Sequence, residues 1–70
     1  MKEIVSSMAG TILNVVVSEG ETVEAGKVVV MLESMKMEIP IESQVNGVVK
    51  EIRVSPGEFV NEGDVLIVLE

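Results

Sequence analysis

The sequence of 70 residues contains no cysteine and no histidine. Without cysteine, neither a disulfide framework nor a thiolate metal site is available. Histidine is the commonest general base and the commonest metal ligand, so a serine or cysteine nucleophile paired with histidine is also excluded. These two absences argue against an enzyme.

Aromatic and basic residues are scarce as well. Phe59 is the only aromatic residue, so a core has to be built from Val, Ile, Leu and Met. Five Lys and Arg residues stand against 12 Asp and Glu, which gives a net charge of −7. Nucleic acids and anionic membranes both require a basic surface, so we expect neither as a partner. The acidic excess favours a protein partner with a basic docking surface, or it serves only solubility.

Long apolar segments are absent too. No run approaches the ~20 apolar residues of a membrane span. The N-terminal residues 1–5 lack the apolar region of a signal peptide. We therefore expect a cytoplasmic protein that forms one domain over residues 1–70, with the small core that such a length permits.

Short apolar segments rich in Val, Ile and Thr alternate with turn residues, and none has a helical pattern. This pattern predicts an all-β sandwich or flattened barrel. The predicted strands are residues 4–5, 11–17, 22–23, 28–32, 37–41, 48–54, 59–60 and 65–69.

The sequence also repeats itself with an offset of 37 residues. The repeat matches glycines of turns and apolar residues of predicted strands, among them Gly10 with Gly47, Val17 with Val54, Gly20 with Gly57, Gly26 with Gly63 and Leu32 with Leu69. Two copies are too few for a solenoid. They predict two similar sheets packed face to face around a pseudo-two-fold axis.

The segment Glu33–Glu38 (Glu-Ser-Met-Lys-Met-Glu) joins the predicted strands 28–32 and 37–41. It contains no Gly, Asn or Asp, so a tight hairpin turn has to fall on Met35-Lys36. Two-residue hairpin turns favour Asn-Gly or Asp-Gly, and Glu33 would face Glu38 across the strands, which is unfavourable for like charges. Broken local rules within an otherwise consistent pattern indicate a functional site.

Lys36 is the candidate functional residue of this hairpin. Most lysines are simply solvated, but apolar Met35 and Met37 beside an exposed lysine favour a surface that docks into a partner. A solvated lysine is protonated at neutral pH and is a poor nucleophile, so Lys36 is better interpreted as a site that is modified. The methionines could alternatively fill the core. Glu33 and Glu38, without a third ligand, favour a solvated or partner-facing pair over a metal or acid–base site.

The hairpin sequence resembles the biotin-attachment motif of biotin carboxyl carrier domains, whose core is Met-Lys-Met. The repeat and the stretches 47–49 and 57–64 extend the resemblance over the full chain. It implies a flattened β-barrel of two four-stranded antiparallel sheets, with the modified lysine on a tight hairpin turn. It further implies that biotin is bound to Lys36 by an amide, with Met35 and Met37 at the attachment site. Glu33, Ser34 and Glu38 would take part in partner recognition.

The same resemblance implies a non-catalytic carrier with three enzyme partners. A biotin protein ligase would attach the biotin, a biotin carboxylase would carboxylate it from bicarbonate and ATP, and a carboxyltransferase would take up the carboxyl group. The system would be an acyl-CoA or related carboxylase.

Lipoate is the alternative cofactor. Lipoyl domains are close relatives that usually carry Asp and Ala where this chain has Met35 and Met37, so the methionines favour biotin. Ser34 replaces the alanine common in carboxylase motifs and is more similar to small attachment proteins that take either group. The thumb of some bacterial carriers would lie within residues 17–28, where only short turns are found. A third hypothesis is an unmodified module whose Met-rich tip binds a partner.

Overall fold

The structure, a computed structural model, describes residues 2–70, so Met1 of the predicted domain lies outside the described residues. It contains eight strands: β1 (Lys2–Val5), β2 (Gly10–Val15), β3 (Thr22–Val23), β4 (Val28–Ser34), β5 (Met37–Glu42), β6 (Gly47–Ile52), β7 (Phe59–Val60) and β8 (Val65–Leu69). They form two four-stranded antiparallel sheets, ordered β1-β8-β6-β3 and β5-β4-β2-β7. The predicted all-β fold of two four-stranded sheets is confirmed. Within the described range, no helix is long and apolar enough to cross a membrane.

The two sheets are copies of each other in strand order and in register. Ile39 of β5 pairs with Leu32 of β4, and Lys2 of β1 pairs with Leu69 of β8 in the same way. Residues 2–33 therefore correspond to residues 39–70. The five residues between the copies, 34–38, form the end of the β4–β5 hairpin, and Lys2 and Glu70 lie at the corresponding place in the other sheet.

The correspondence extends to side chains that apolar patterning did not reveal. The Ser6 hydroxyl donates a hydrogen bond to the Met8 carbonyl oxygen at 2.6 Å. Its counterpart Ser43 donates to the Val45 carbonyl oxygen at 2.5 Å. Both serines are almost completely buried, and these bonds satisfy hydroxyls that would otherwise destabilise the core.

The core lies between the two sheets and consists of aliphatic side chains from both copies. Burying one such side chain stabilises the fold by about 1.5–3 kcal/mol. Central members are Ile12, Val23, Val29, Val30, Leu32, Val49, Leu66, Ile67 and Leu69. In β8, four successive residues from Leu66 onward are buried. Both faces of this strand are therefore covered, which explains why its sequence is apolar throughout.

Several predicted strand boundaries were wrong. β2 and β6 end at Val15 and Ile52, two residues early, because Val17 and Val54 leave the ladder yet stay buried in the core. Apolar patterning does not distinguish a buried strand residue from a buried residue just beyond the strand. β1 begins before residue 4 and β5 ends at Glu42. Polar side chains concealed these ladder positions.

The loop predicted over residues 42–47 is also too long. Gly47 already belongs to β6, because it pairs with Val23 of β3. The opposite error occurs in β4, which continues two residues beyond the predicted end, to Ser34. There the ladder to β5 persists through polar residues, and this extension shapes the candidate site.

Candidate functional site

The β4–β5 hairpin ends in a two-residue turn. Glu33 pairs with Glu38 and Ser34 with Met37, which leaves Met35 and Lys36 as the turn residues. Their φ angles are 53° and 65°. Positive φ at both central residues is what a type I′ hairpin turn requires. The predicted position of the turn and the predicted pairing of Glu33 with Glu38 across the strands are confirmed.

The turn places two L-residues with long side chains in the left-handed region. In residues 2–70 the only other positive φ angles belong to glycines. The left-handed conformation costs an L-residue about 1–2 kcal/mol relative to the right-handed one. The hairpin therefore holds Met35 and Lys36 in a conformation that glycine would adopt more easily.

The side chains of the turn project into solvent. Met35 is 88% exposed and Met37 is 60% exposed, so neither fills the core. Lys36 is exposed as well. Among residues 2–70 its amine takes part in no hydrogen bond or ion pair. The tip of the hairpin thus presents a primary amine between two apolar side chains.

One row of side chains crosses the outer face of the sheet just below this tip. Phe59 of β7 pairs with Thr11 of β2, Thr11 pairs with Glu33 of β4, and Glu33 pairs with Glu38 of β5. Because directly paired residues share one face of a sheet, their side chains point to the same side. A shallow depression of about 480 Å³ extends from Phe59 past Thr11 to Lys36.

Gly10 lets β2 approach the base of the hairpin. A Cβ atom at this position would lie 2.5 Å from the carbonyl oxygen of Glu33 and 3.0 Å from Cγ of Leu32. Both distances are shorter than van der Waals contact. The backbone of the neighbouring strand therefore packs directly against the base of the hairpin.

The carboxylates of the molecule do not form a metal site in the described residues: no group of three or more Asp or Glu side chains in residues 2–70 could hold an ion. Glu21, in the turn before β3, is a structural carboxylate. Lys27 forms an ion pair with it at 3.0 Å, and the Ser18 N–H donates to it at 3.0 Å. Lys27, more than the bond from Ser18, lowers the pKa of Glu21 below its ordinary value.

All six residues that the sequence indicated for the site, Glu33, Ser34, Met35, Lys36, Met37 and Glu38, lie together on the hairpin. The sequence did not indicate Phe59, which the β2–β7 pairing places beside them. One signal was available. The repeat matches Phe59 with the polar residue Thr22. The fold therefore does not need an apolar core residue at the position of Phe59.

About half of this chain is similar in sequence to named bacterial proteins. The biotinylated protein TB7.3 of Mycobacterium tuberculosis is 48% identical over 40 residues, which are 57% of this chain and 56% of that protein. The methylmalonyl-CoA carboxyltransferase 1.3S subunit of Propionibacterium freudenreichii subsp. shermanii is 53% identical over 36 residues, which are 51% of this chain and 29% of that subunit. The matches thus span about half or less of these relatives' lengths.

The crystal structure of Kluyveromyces lactis urea carboxylase contains a similar fold. It superposes with a TM-score of 0.91 and 30% sequence identity, over 99% of this chain and 6% of that much longer chain. The two-sheet fold therefore occurs as a small part of a much longer carboxylase chain. The model of the biotin–lipoyl family, described as "Biotin-requiring enzyme", matches residues 2–69. The chain belongs to the biotin–lipoyl family.

Proposed function

We propose that this protein is a biotin carboxyl carrier and that biotin is attached through an amide bond to Nζ of Lys36. The observation that carries the proposal is the presentation of Lys36. It lies exposed at the tip of the β4–β5 hairpin, on a two-residue turn with a φ of 65°, and its amine has no partner within residues 2–70. The biotinylated relatives and the family match support the choice of biotin over lipoate.

The residues of the tip fit a covalently attached group. A primary amine is the chemical function that forms an amide with a carboxyl group, and attachment removes the charge of Lys36. Because the amine is not engaged by a carboxylate, no ion pair has to be broken before the reaction. Met35 and Met37 add apolar surface on both sides and would contact the ligase and the attached arm. When attached, biotin supplies the carboxyl-transfer chemistry.

The domain itself would contribute position rather than catalysis. Gly10 packs against the base of the hairpin, and the turn projects Lys36 away from the body of the domain, where an attached arm would extend into solvent. A tethered group reaches successive sites at a high effective concentration without forming new contacts. With no histidine or cysteine in the chain, we assign acid–base and nucleophilic steps to the partner enzymes.

Three enzymes would act on this carrier: a biotin protein ligase, a biotin carboxylase and a carboxyltransferase. Relatives and neighbours named as a methylmalonyl-CoA carboxyltransferase subunit and as urea carboxylase support the last two. An acyl-CoA or a related compound would be the final carboxyl acceptor. Glu33, Ser34 and Glu38 would contribute to recognition by these enzymes. The domain extent of residues 1–70 and a cytoplasmic location stay predictions.

The test is the intact mass of the protein after incubation with biotin, ATP and a purified biotin protein ligase. We expect one biotinyl group on the wild type and none on Lys36→Arg. The variant is a demanding control, since it retains three other lysines, Lys2, Lys27 and Lys50. A second biotinyl group, or labelling of Lys36→Arg, would contradict the assigned site. Failure of the folded wild type to accept biotin, followed by addition of lipoate by a lipoate ligase, would contradict the biotin assignment.

A further inference from the structure

Phe59 is the most informative residue outside the hairpin. It is the only aromatic residue of the chain, yet its side chain is 64% exposed. A large aromatic side chain normally stabilises a protein by burial. Here the core consists of aliphatic side chains, and the exposed Phe59 contributes little to it.

The internal repeat shows that the fold does not need an aromatic residue at this position. Phe59 of β7 corresponds to Thr22 of β3, which is exposed too. Thr22 pairs with Val48, just as Phe59 pairs with Thr11. The same backbone position is therefore polar near the chain termini and aromatic near Lys36. The difference between the two copies coincides with the hairpin that carries the proposed attachment site.

Phe59 and the hairpin form one continuous surface. A shallow depression is lined by Phe59, Thr11, Met35 and Lys36. Exposed apolar area grouped in this way is characteristic of an interaction surface. Two carboxylates, Glu33 and Glu38, lie on the same outer face, and the net charge of the chain is −7. The complementary surface of a partner is therefore an apolar pocket bordered by basic residues.

We propose that Phe59 is a docking residue for the biotin protein ligase, and that it inserts into an apolar pocket of that enzyme while Lys36 enters the active site. This inference rests on the proposed function. Among the three partner enzymes, we choose the ligase because the side chain of Lys36 is short compared with a lysine that carries biotin. The ligase acts on the bare lysine amine, so it has to approach the protein surface within one lysine side chain of the hairpin. The carboxylase and the carboxyltransferase act on the far end of a biotinyl arm that is considerably longer.

The experiment compares two variants, each of which introduces the residue that the other copy of the repeat carries. Phe59→Thr removes the exposed aromatic side chain beside Lys36. Val48→Thr removes an exposed apolar side chain (38% exposed) from the other sheet, at the position that corresponds to Thr11. Because threonine already occupies the matching position in each case, both variants are expected to fold, which circular dichroism and thermal unfolding verify.

The rate of biotin transfer by a purified biotin protein ligase is measured against the concentration of unmodified carrier. We expect Phe59→Thr to raise the KM for the carrier by about tenfold with little change in kcat, as for loss of an aromatic anchor at an interface. Phe59→Tyr should keep KM near the wild-type value, and Val48→Thr should not change it. Once fully biotinylated, wild type and Phe59→Thr should be carboxylated by a biotin carboxylase with the same KM.

Three results would overturn the inference. The first is a KM of the ligase for Phe59→Thr within twofold of the wild-type value, or an equal rise in KM for Val48→Thr. Either result would show that Phe59 has no special role in binding the ligase. The second is a change in sedimentation of the free carrier on mutation, because Phe59 would then serve contact between copies of this chain. The third is a rise in KM for the biotin carboxylase alone. A wild-type protein that accepts no biotin would instead refute the proposed function, and the two failures are therefore distinguishable.

Discussion

Replacing Lys36 by glycine is expected to stabilise the protein while it removes the proposed attachment site. The φ angle of Lys36 is 65°, and an L-residue in this region is less stable by about 1–2 kcal/mol than in the right-handed region. Glycine has no such preference, but it increases the conformational freedom of the unfolded chain, which offsets about 0.5–1 kcal/mol of the gain. Within residues 2–70 the amine of Lys36 forms no hydrogen bond or ion pair. Its removal therefore costs no stabilising interaction.

Taking the centres of the two ranges, we expect a gain of about 0.75 kcal/mol in the free energy of unfolding. For a domain of this size, such a gain raises Tm by about 4 °C. Urea denaturation and thermal unfolding of the unmodified proteins measure both quantities. Lys36→Arg is the matched control, because arginine keeps the charge and the conformational cost, so its stability should equal that of the wild type.

The reasoning would be refuted if Lys36→Gly were no more stable than the wild type while Lys36→Arg remained unchanged. That result would mean that the turn does not impose the cost inferred from its φ angles. If the prediction is confirmed, the residue that the proposed function needs makes the protein less stable than glycine would at the same position. Such an arrangement is expected where function opposes local stability.

Four further substitutions test other parts of the structure. Glu38→Gln removes like-charge repulsion across the hairpin and should stabilise the protein by about 0.3 kcal/mol at low salt, with a smaller gain at high salt in urea denaturation. Gly10→Ala should destabilise the protein by about 2 kcal/mol. The loss should exceed that of Gly47→Ala, because the added Cβ would lie 2.5 Å from a backbone oxygen at Gly10 and 3.0 Å from one at Gly47. Equal losses of stability would contradict this difference in packing. Glu21 has a folded-state pKa below 4.5 because of Lys27, so its stabilising contribution is present above that value and is lost as pH falls through the folded pKa. The stability difference between wild type and Glu21→Gln, followed by denaturation at decreasing pH, should therefore disappear in acid, and a constant difference would contradict the ion pair.

The architecture was predictable because its signals are local and occur twice. Short β-branched segments separated by glycine turns indicate strands, and a repeat with an offset of 37 residues indicates two equivalent sheets. The site was predictable for a related reason. Without Gly, Asn or Asp in residues 33–38, the turn had to fall on Met35-Lys36, and its positive φ angles confirm this.

Other features depend on contacts between residues that are distant in the sequence. The ends of β2 and β6 were misplaced, since Val17 and Val54 remain buried after they leave their ladders. Their apolar character reflects the core between the sheets rather than strand pairing. The repeat also aligns Ser6 with Ser43, but only the structure shows that both are buried and that each hydroxyl donates to a carbonyl oxygen two residues on.

The sequence by itself determined the fold class, the internal repeat and the lysine at the turn, because each follows from the order of neighbouring residues. Only the tertiary structure decided which surface surrounds that lysine. Phe59 is 23 positions from Lys36 in the chain, and the pairing of β7 with β2 and of β2 with β4 brings it beside the hairpin. The alternation of apolar residues determines which face of each strand is buried. It does not determine which distant strands become neighbours, because that depends on how both sheets pack around the shared core.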